Sequence, residues 1–105
     1  MKVLFDQGTP VPLRRYLADH NVATAAELEW SQLTNGELLA AATEAGFEVL
    51  VTTDQNLRYQ QNLKNRTIAI VVLMSASWPR IKKRADNIAQ TINALGKSDY
   101  IEVEI

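Results

Sequence analysis

TIAIVVL, residues 67–73, is the most hydrophobic stretch of the chain. Apolar side chains at successive positions suit a strand covered on both faces, whereas a strand with one wet face alternates. The run therefore predicts a central strand of a parallel sheet, in which strands are joined by helical crossovers. Upstream, EVLVTT at residues 48–53 reads as a second buried strand, and Asp54 follows at once, opening a helix that carries Leu57 and Leu63. Downstream, Pro79 opens a long helix in which Ile81, Ile88, Ile92 and Leu95 recur near helical period. From Tyr100 to Ile105 the chain alternates: Ile101, Val103 and Ile105 face one way, and Tyr100, Glu102 and Glu104 the other. That is the pattern of an edge strand whose glutamates discourage edge-to-edge pairing.

The amino-terminal half repeats the alternation of strand and helix. Val3 to Phe5 form a short apolar run, and Asp6-Gln-Gly-Thr-Pro makes the turn after it. Pro10 suits the first position of a helix in which Leu13, Tyr16 and Leu17 share a face; His20 and Asn21 end it, and Val22 to Ala25 make a weaker strand. A helix from about Asn35 to Ala45 turns Leu38, Leu39 and Ala42 inward, and Gly46 is a good stop. With right-handed crossovers, these elements predict a single three-layer α/β domain over residues 1–105, with a five-stranded parallel sheet in order 2-1-3-4-5.

Composition narrows the chemistry. The chain has 105 residues, 47% apolar and 22% charged, which is room for one core. The absence of cysteine removes disulfides, thiolate metal sites and thiol nucleophiles. The formal net charge of -1 lacks the overall basic footprint of a tight nucleic-acid binder, so phosphate contacts need a local basic patch. No apolar run approaches membrane-spanning or signal-peptide length, and the expectation is a cytoplasmic protein with no membrane contact.

In an open parallel sheet the functional crevice lies beyond the carboxyl ends of the strands, where the winding direction switches. Here the switch falls between the first and third strands, which end at Asp6 and Asp54. Carboxylates on neighbouring strand ends, roughly 5 to 8 Å apart, repel unless a cation or a proton lies between them. Mg²⁺ or Mn²⁺ is held by one or two carboxylates plus water and readies a water for attack on a phosphodiester. The plainer alternative makes Asp54 a helix cap and Asp6 the anchor of its own turn.

Glu37 is the natural third carboxylate, yet Thr34-Asn-Gly-Glu37 also has the form of a capping box. Ligand and cap stay open for it. Gln7, Asn35 and Asn56 are amides that can ligate weakly, bond a substrate or cap a helix. Basic residues fall in three groups: Arg14 with Arg15, Arg58 with Lys64 and Arg66, and Arg80 with Lys82, Lys83 and Arg84. Arg58 is the best placed for phosphate, while a run such as the last is usually a solvated helix face. His20 reads as a surface residue. Trp30 and Trp78 can stack a base or serve as packing anchors. Ser75 and Ser77 follow the fourth strand near the crevice, and one of them is expected to cap the last helix.

VLFDQGTP at 3–10, NGELL at 35–39, FEVLVTTDQNLRYQQNL at 47–63, IAIVVL at 68–73 and Trp78-Pro79 together resemble a short branch of the PIN-like domain family. The similarity runs over nearly the whole chain and rests on a strand-Thr-x-Asp signature ending at Asp54, with an acid after the first strand. The resemblance implies a Mg²⁺- or Mn²⁺-dependent endoribonuclease acting on RNA, often the toxin of a toxin–antitoxin pair, with a small antitoxin-like protein as partner. It implies metal-binding and catalytic roles for Asp6, Asp54 and Glu37. Gln7, Asn35, Asn56, Arg58 and Ser75 are the auxiliary or substrate-binding candidates. The chain departs from the family pattern at Asn35 and Asn56, where acids are common, and the loss of two charges weakens metal affinity. A non-catalytic PIN-like binding module is therefore one rival. A receiver-like phosphoacceptor domain is the other, although it needs an acidic pair where this chain has Asp6-Gln7 and a lysine after the fifth strand.

Overall fold

Apolar residues at every position of the central strands call for cover on both sides. The computed structural model, which describes residues 1–57 and 67–105, shows that cover. Strands β1 (Lys2–Phe5), β2 (Asn21–Thr24), β3 (Val49–Thr52), β4 (Ala69–Leu73) and β5 (Tyr100–Val103) form one parallel sheet in the expected order β2-β1-β3-β4-β5. Helices α1 (Asn35–Glu44), α2 (Trp78–Lys83) and α3 (Ala85–Asn93), with a 3₁₀ helix at Val11–Leu17, flank it.

Alternate residues of each strand go to opposite layers. Val3, Phe5, Val49, Val51, Val71 and Leu73 pack with Leu13 and Leu17 of the 3₁₀ helix and with Ile81, Ile88 and Ile92 of α2 and α3. Leu4, Leu50, Ile70 and Val72 pack on the other side with Leu38, Leu39 and Ala42 of α1, joined by Phe47 and Leu57. Each such Val, Leu, Ile or Phe side chain, when fully buried, contributes about 1.5–3 kcal/mol. Among the described residues the one ion pair, Arg14 with Glu27, is on the surface, where such pairs contribute about 0–1 kcal/mol. Apolar layering therefore dominates the stability. No helix among the described residues is long and apolar enough to cross a membrane.

Several local expectations need correction. The helix after Thr9 is a 3₁₀ helix of seven residues, in which Leu13 N bonds the Pro10 carbonyl at 3.2 Å. Tyr16 on it is 37% exposed and lies against the Trp78 ring, outside the buried row of Leu13 and Leu17. The last long helix is two, broken at Arg84, whose ψ of 8° leaves helical geometry. There Arg80, Lys83 and Arg84 bring like charges together at helical spacings of three and four, which disfavours a continuous helix. Leu95 falls beyond the end of α3, and β5 stops at Val103, short of Ile105. Most of the helix expected after Asp54, including Arg58, Leu63, Lys64 and Arg66, lies outside the described residues.

The end of α1 shows how sequence sets an element. Gly46 adopts φ +86°, its N–H bonds the Thr43 carbonyl at 3.1 Å, and Phe47 N bonds the Ala42 carbonyl at 2.9 Å. That pairing closes the helix with a left-handed residue, and it turns Phe47 into the core. Nothing lies within 4 Å of a Cβ built on Gly46, so replacement there meets only backbone strain. Gly46→Ala is expected to lower unfolding free energy by about 1–2 kcal/mol in urea titration. Gly46→Asn should cost less, because Asn tolerates this conformation.

Candidate functional site

Phe5 pairs with Val51 in the sheet register, and the Asp6 N–H extends the ladder to the Val51 carbonyl at 3.1 Å. Asp6 thus leaves β1 beside the end of β3, where Thr52 closes the strand and Asp54 lies two residues on. The Thr52 hydroxyl joins the two acids: it donates to Asp6 Oδ2 and accepts from the Asp54 N–H at 3.0 Å. Asp6 Oδ1 also accepts from Gly8 N at 3.2 Å and meets Thr9 Oγ1 at 2.8 Å. Thr9 Oγ1 is 2.9 Å from the Val51 carbonyl as well. Its single proton faces two acceptors, a conflict that a protonated Asp6 resolves by donating in its turn. A Cβ on Gly8 would come within 2.7 Å of Thr53 Oγ1, so a larger residue here requires that hydroxyl to turn away.

The two carboxylates differ in kind. Burial holds the Asp6 carboxyl above the usual range, against the hydrogen bonds from Thr52, Thr9 and Gly8 that favour its ionised form. Asp54 accepts from Asn35 Nδ2 at 2.6 Å and from Asn56 N at 3.0 Å. Asn35 thus neighbours the acid through its amide, and Asn56 contributes its main chain while its side chain is exposed.

Glu37 is turned elsewhere. Its carboxylate accepts from Thr34 N at 2.9 Å, its own N–H bonds Thr34 Oγ1 at 3.3 Å, and this bonding holds it below the usual range. The capping box is therefore formed, and no group of three or more His, Cys, Asp or Glu side chains among the described residues is arranged to hold a metal. Ser75 lies after β4 and accepts from Ser77 N at 3.1 Å; neither serine hydroxyl caps α2. Arg58 is outside the described residues. His20 is not a bare surface residue: its ring meets Asn93 Oδ1 at 2.5 Å and the Met1 nitrogen at 3.1 Å.

A cleft of about 180 Å³ opens beside Asp6, walled by Trp30, Leu33 and Leu38 and rimmed by Gln7, Ser31 and Asn35. A larger cavity of about 300 Å³ lies at the opposite ends of the strands, around Met1, Phe47 and Lys97, and contains neither aspartate. The wall that carries Trp30 is a second capped turn. Thr24 N bonds Glu27 Oε1 at 2.9 Å and Glu27 N bonds Thr24 Oγ1 at 3.1 Å; Glu29 then takes φ +62°, and Trp30 N bonds the Ala25 carbonyl at 2.8 Å. Arg14 pins Glu27 from the 3₁₀ helix.

The residues that sequence reasoning missed are Thr52 and Thr9, which hold Asp6. The signal for Thr52 is present as the Thr-x-Asp spacing; Thr9 carries no such signal, standing only as a member of the Asp6-Gln-Gly-Thr-Pro turn. Compared with protein-family models, curated proteins and solved structures, the chain matches none, so its chemistry is argued from its own residues.

The raised Asp6 value has a definite consequence for stability. The folded state binds this proton more tightly than the unfolded state, so stability falls as pH rises from the ordinary carboxylate range through the native value. Glu27 and Glu37, held low, act only below that range, where their contribution is lost as pH falls. Urea titrations of metal-free protein between neutral pH and the ordinary carboxylate range should show the wild type gaining stability relative to Asp6→Asn as pH falls. Parallel curves would refute the burial of a costly charge.

Proposed function

We propose that the crevice over Asp6 and Asp54 is a metal-assisted phosphodiesterase site acting on RNA. What supports it is the union of two acids from adjacent strands through the one hydroxyl of Thr52 at the switch point of a parallel sheet. The donor set is oxygen throughout, suiting a hard cation such as Mg²⁺ or Mn²⁺. Two carboxylates suffice for Mg²⁺ where substrate phosphate and water complete its shell, and they hold it weakly without substrate. When bound, the metal supplies charge neutralisation at the phosphate and a more acidic water.

The chain's own groups do the rest. Thr52, Thr9 and Gly8 N fix the Asp6 carboxylate in one orientation, and its raised affinity for a proton suits it to take one from an attacking water. Asn35 orients Asp54. Gln7 and Ser31 rim the adjoining cleft, where they can bond a nucleotide. Glu37 serves the helix cap in this reading and stands outside the reaction. A toxin's role, with a small antitoxin-like partner, belongs to the same proposal through the family resemblance. The binding-module alternative draws on a different observation: internal donors already occupy both carboxylates, three groups on Asp6 and two on Asp54.

A Mn²⁺ titration with single-stranded RNA separates the two. Wild-type protein should cleave and show a Mn²⁺-dependent rise in Tm that grows when RNA is present. Asp6→Asn and Asp54→Asn should each lower cleavage about a hundredfold or more and remove the Tm rise, while Glu37→Gln keeps both. No cleavage and no Mn²⁺ response in folded wild-type protein would leave the binding module.

A further inference from the structure

The chain carries a net charge of -1 with 11 basic residues, yet four of those cations stand within five consecutive positions, 80–84. Arg80, Lys82, Lys83 and Arg84 are all exposed, and Ile81 between them is buried. None of the four is ion-paired among the described residues; Arg80 reaches only the main-chain oxygen of Ile105, at 3.4 Å. The outward side chains of the last turn of α2 are therefore all cations, none of them in an ion pair among the described residues. Arg80 stands three and four residues from Lys83 and Arg84, the spacings at which like charges on a helix meet. They repel one another, and the helix breaks among them. A polyanion relieves that repulsion.

Two further features narrow the polyanion. Trp78, the first residue of α2, has its ring centroid 6.2 Å from that of Tyr16, and Tyr16 is 37% exposed beside the exposed Arg15. Cations beside an exposed tyrosine and a partly buried tryptophan suit a ligand that carries both phosphates and unstacked rings. A duplex hides its base faces, and an acidic peptide has none. Position adds the second feature. β4 lies next to β3, and α2 follows β4 through Ser75–Ser77, so α2 begins on the same rim of the sheet that holds Asp54. We infer that α2, with Tyr16 and Trp78, is a binding strip for single-stranded nucleic acid that leads toward the crevice. The inference rests on the RNA reading of that crevice but not on cleavage.

Fluorescence anisotropy with a labelled oligouridine RNA, in EDTA at about 50 mM salt, tests the strip without the reaction. Lys82→Glu/Lys83→Glu should weaken binding about tenfold or more and reduce the log–log salt slope by about one to two. Tyr16→Ala should weaken it about tenfold through lost stacking. Lys97→Glu, at the other end of the sheet, should bind as wild type, and circular dichroism checks that each variant is folded. Affinity of the double variant within about twofold of wild type, or equal competition by duplex RNA, would overturn the inference. Equal competition by polyglutamate would assign the strip to an acidic protein and overturn it too. If wild-type protein binds no RNA, the strip and the RNA reading fall together. If the double variant still cleaves RNA with an unchanged KM, only the strip falls. Binding that depends on α2 without any cleavage keeps the strip and removes the phosphodiesterase.

Discussion

Burial of β1, β3 and β4 on both faces is the constraint from which the rest follows. Along Val3–Phe5, Val49–Val51 and Ala69–Leu73 each side chain meets a packed layer, so no polar group is tolerated until the strand ends. The first polar residues after each run are therefore crowded onto one rim: Asp6 after β1, Thr52 to Asp54 at the end of β3, and Ser75 after β4. The crevice is less an added feature than the place where an apolar sheet is first permitted to be polar. Parallel connection puts all these ends on the same side, and a neighbouring pair of acids results.

What could be read from the chain was local or periodic. The apolar runs, the capping box at Thr34–Glu37 and the stop at Gly46 each follow from residues within one turn of one another, and each stands where expected. The misreadings came from competition between local rules. Pro10 favours a helix start, and a helix does start there, but proline at that position does not distinguish a 3₁₀ helix from an α-helix. The isoleucine period argued for one long helix, while the adjacent cations argued for a break. Thr24-Ala-Ala-Glu27 forms the same reciprocal bonds as Thr34–Glu37, although no periodic apolar run follows it. The Thr52 bridge is different: its partners Asp6 and Asp54 are 46 and 2 residues away, and only the register of β1 against β3 brings the three together. Composition cannot reveal a bond that depends on register.

The site's two acids hold unequal positions. Asp6 is sunk among hydroxyls, with its carboxyl raised by burial, whereas Asp54 is partly exposed and touched by a neutral amide from α1. Asp6 is therefore the acid of the two that burial disposes to hold a proton. Glu37 is absent from this division, since its carboxylate belongs to the end of α1.

The turn that carries Trp30 bears on how the cleft receives a ligand. Thr24 and Glu27 close its start, the Trp30-to-Ala25 bond closes its end, and Arg14 ties it to the 3₁₀ helix. Glu29 holds a left-handed conformation that side-chain-bearing residues avoid, and the surrounding bonds keep it there. Such a wall is ordered at the moment of folding. A ligand entering the cleft meets a surface whose configurational freedom has already been given up, so its affinity is not diminished by freezing that loop. The same stiffness makes the cleft intolerant of shape: a ligand too large for the space between Gln7 and Trp30 finds no loop to push aside.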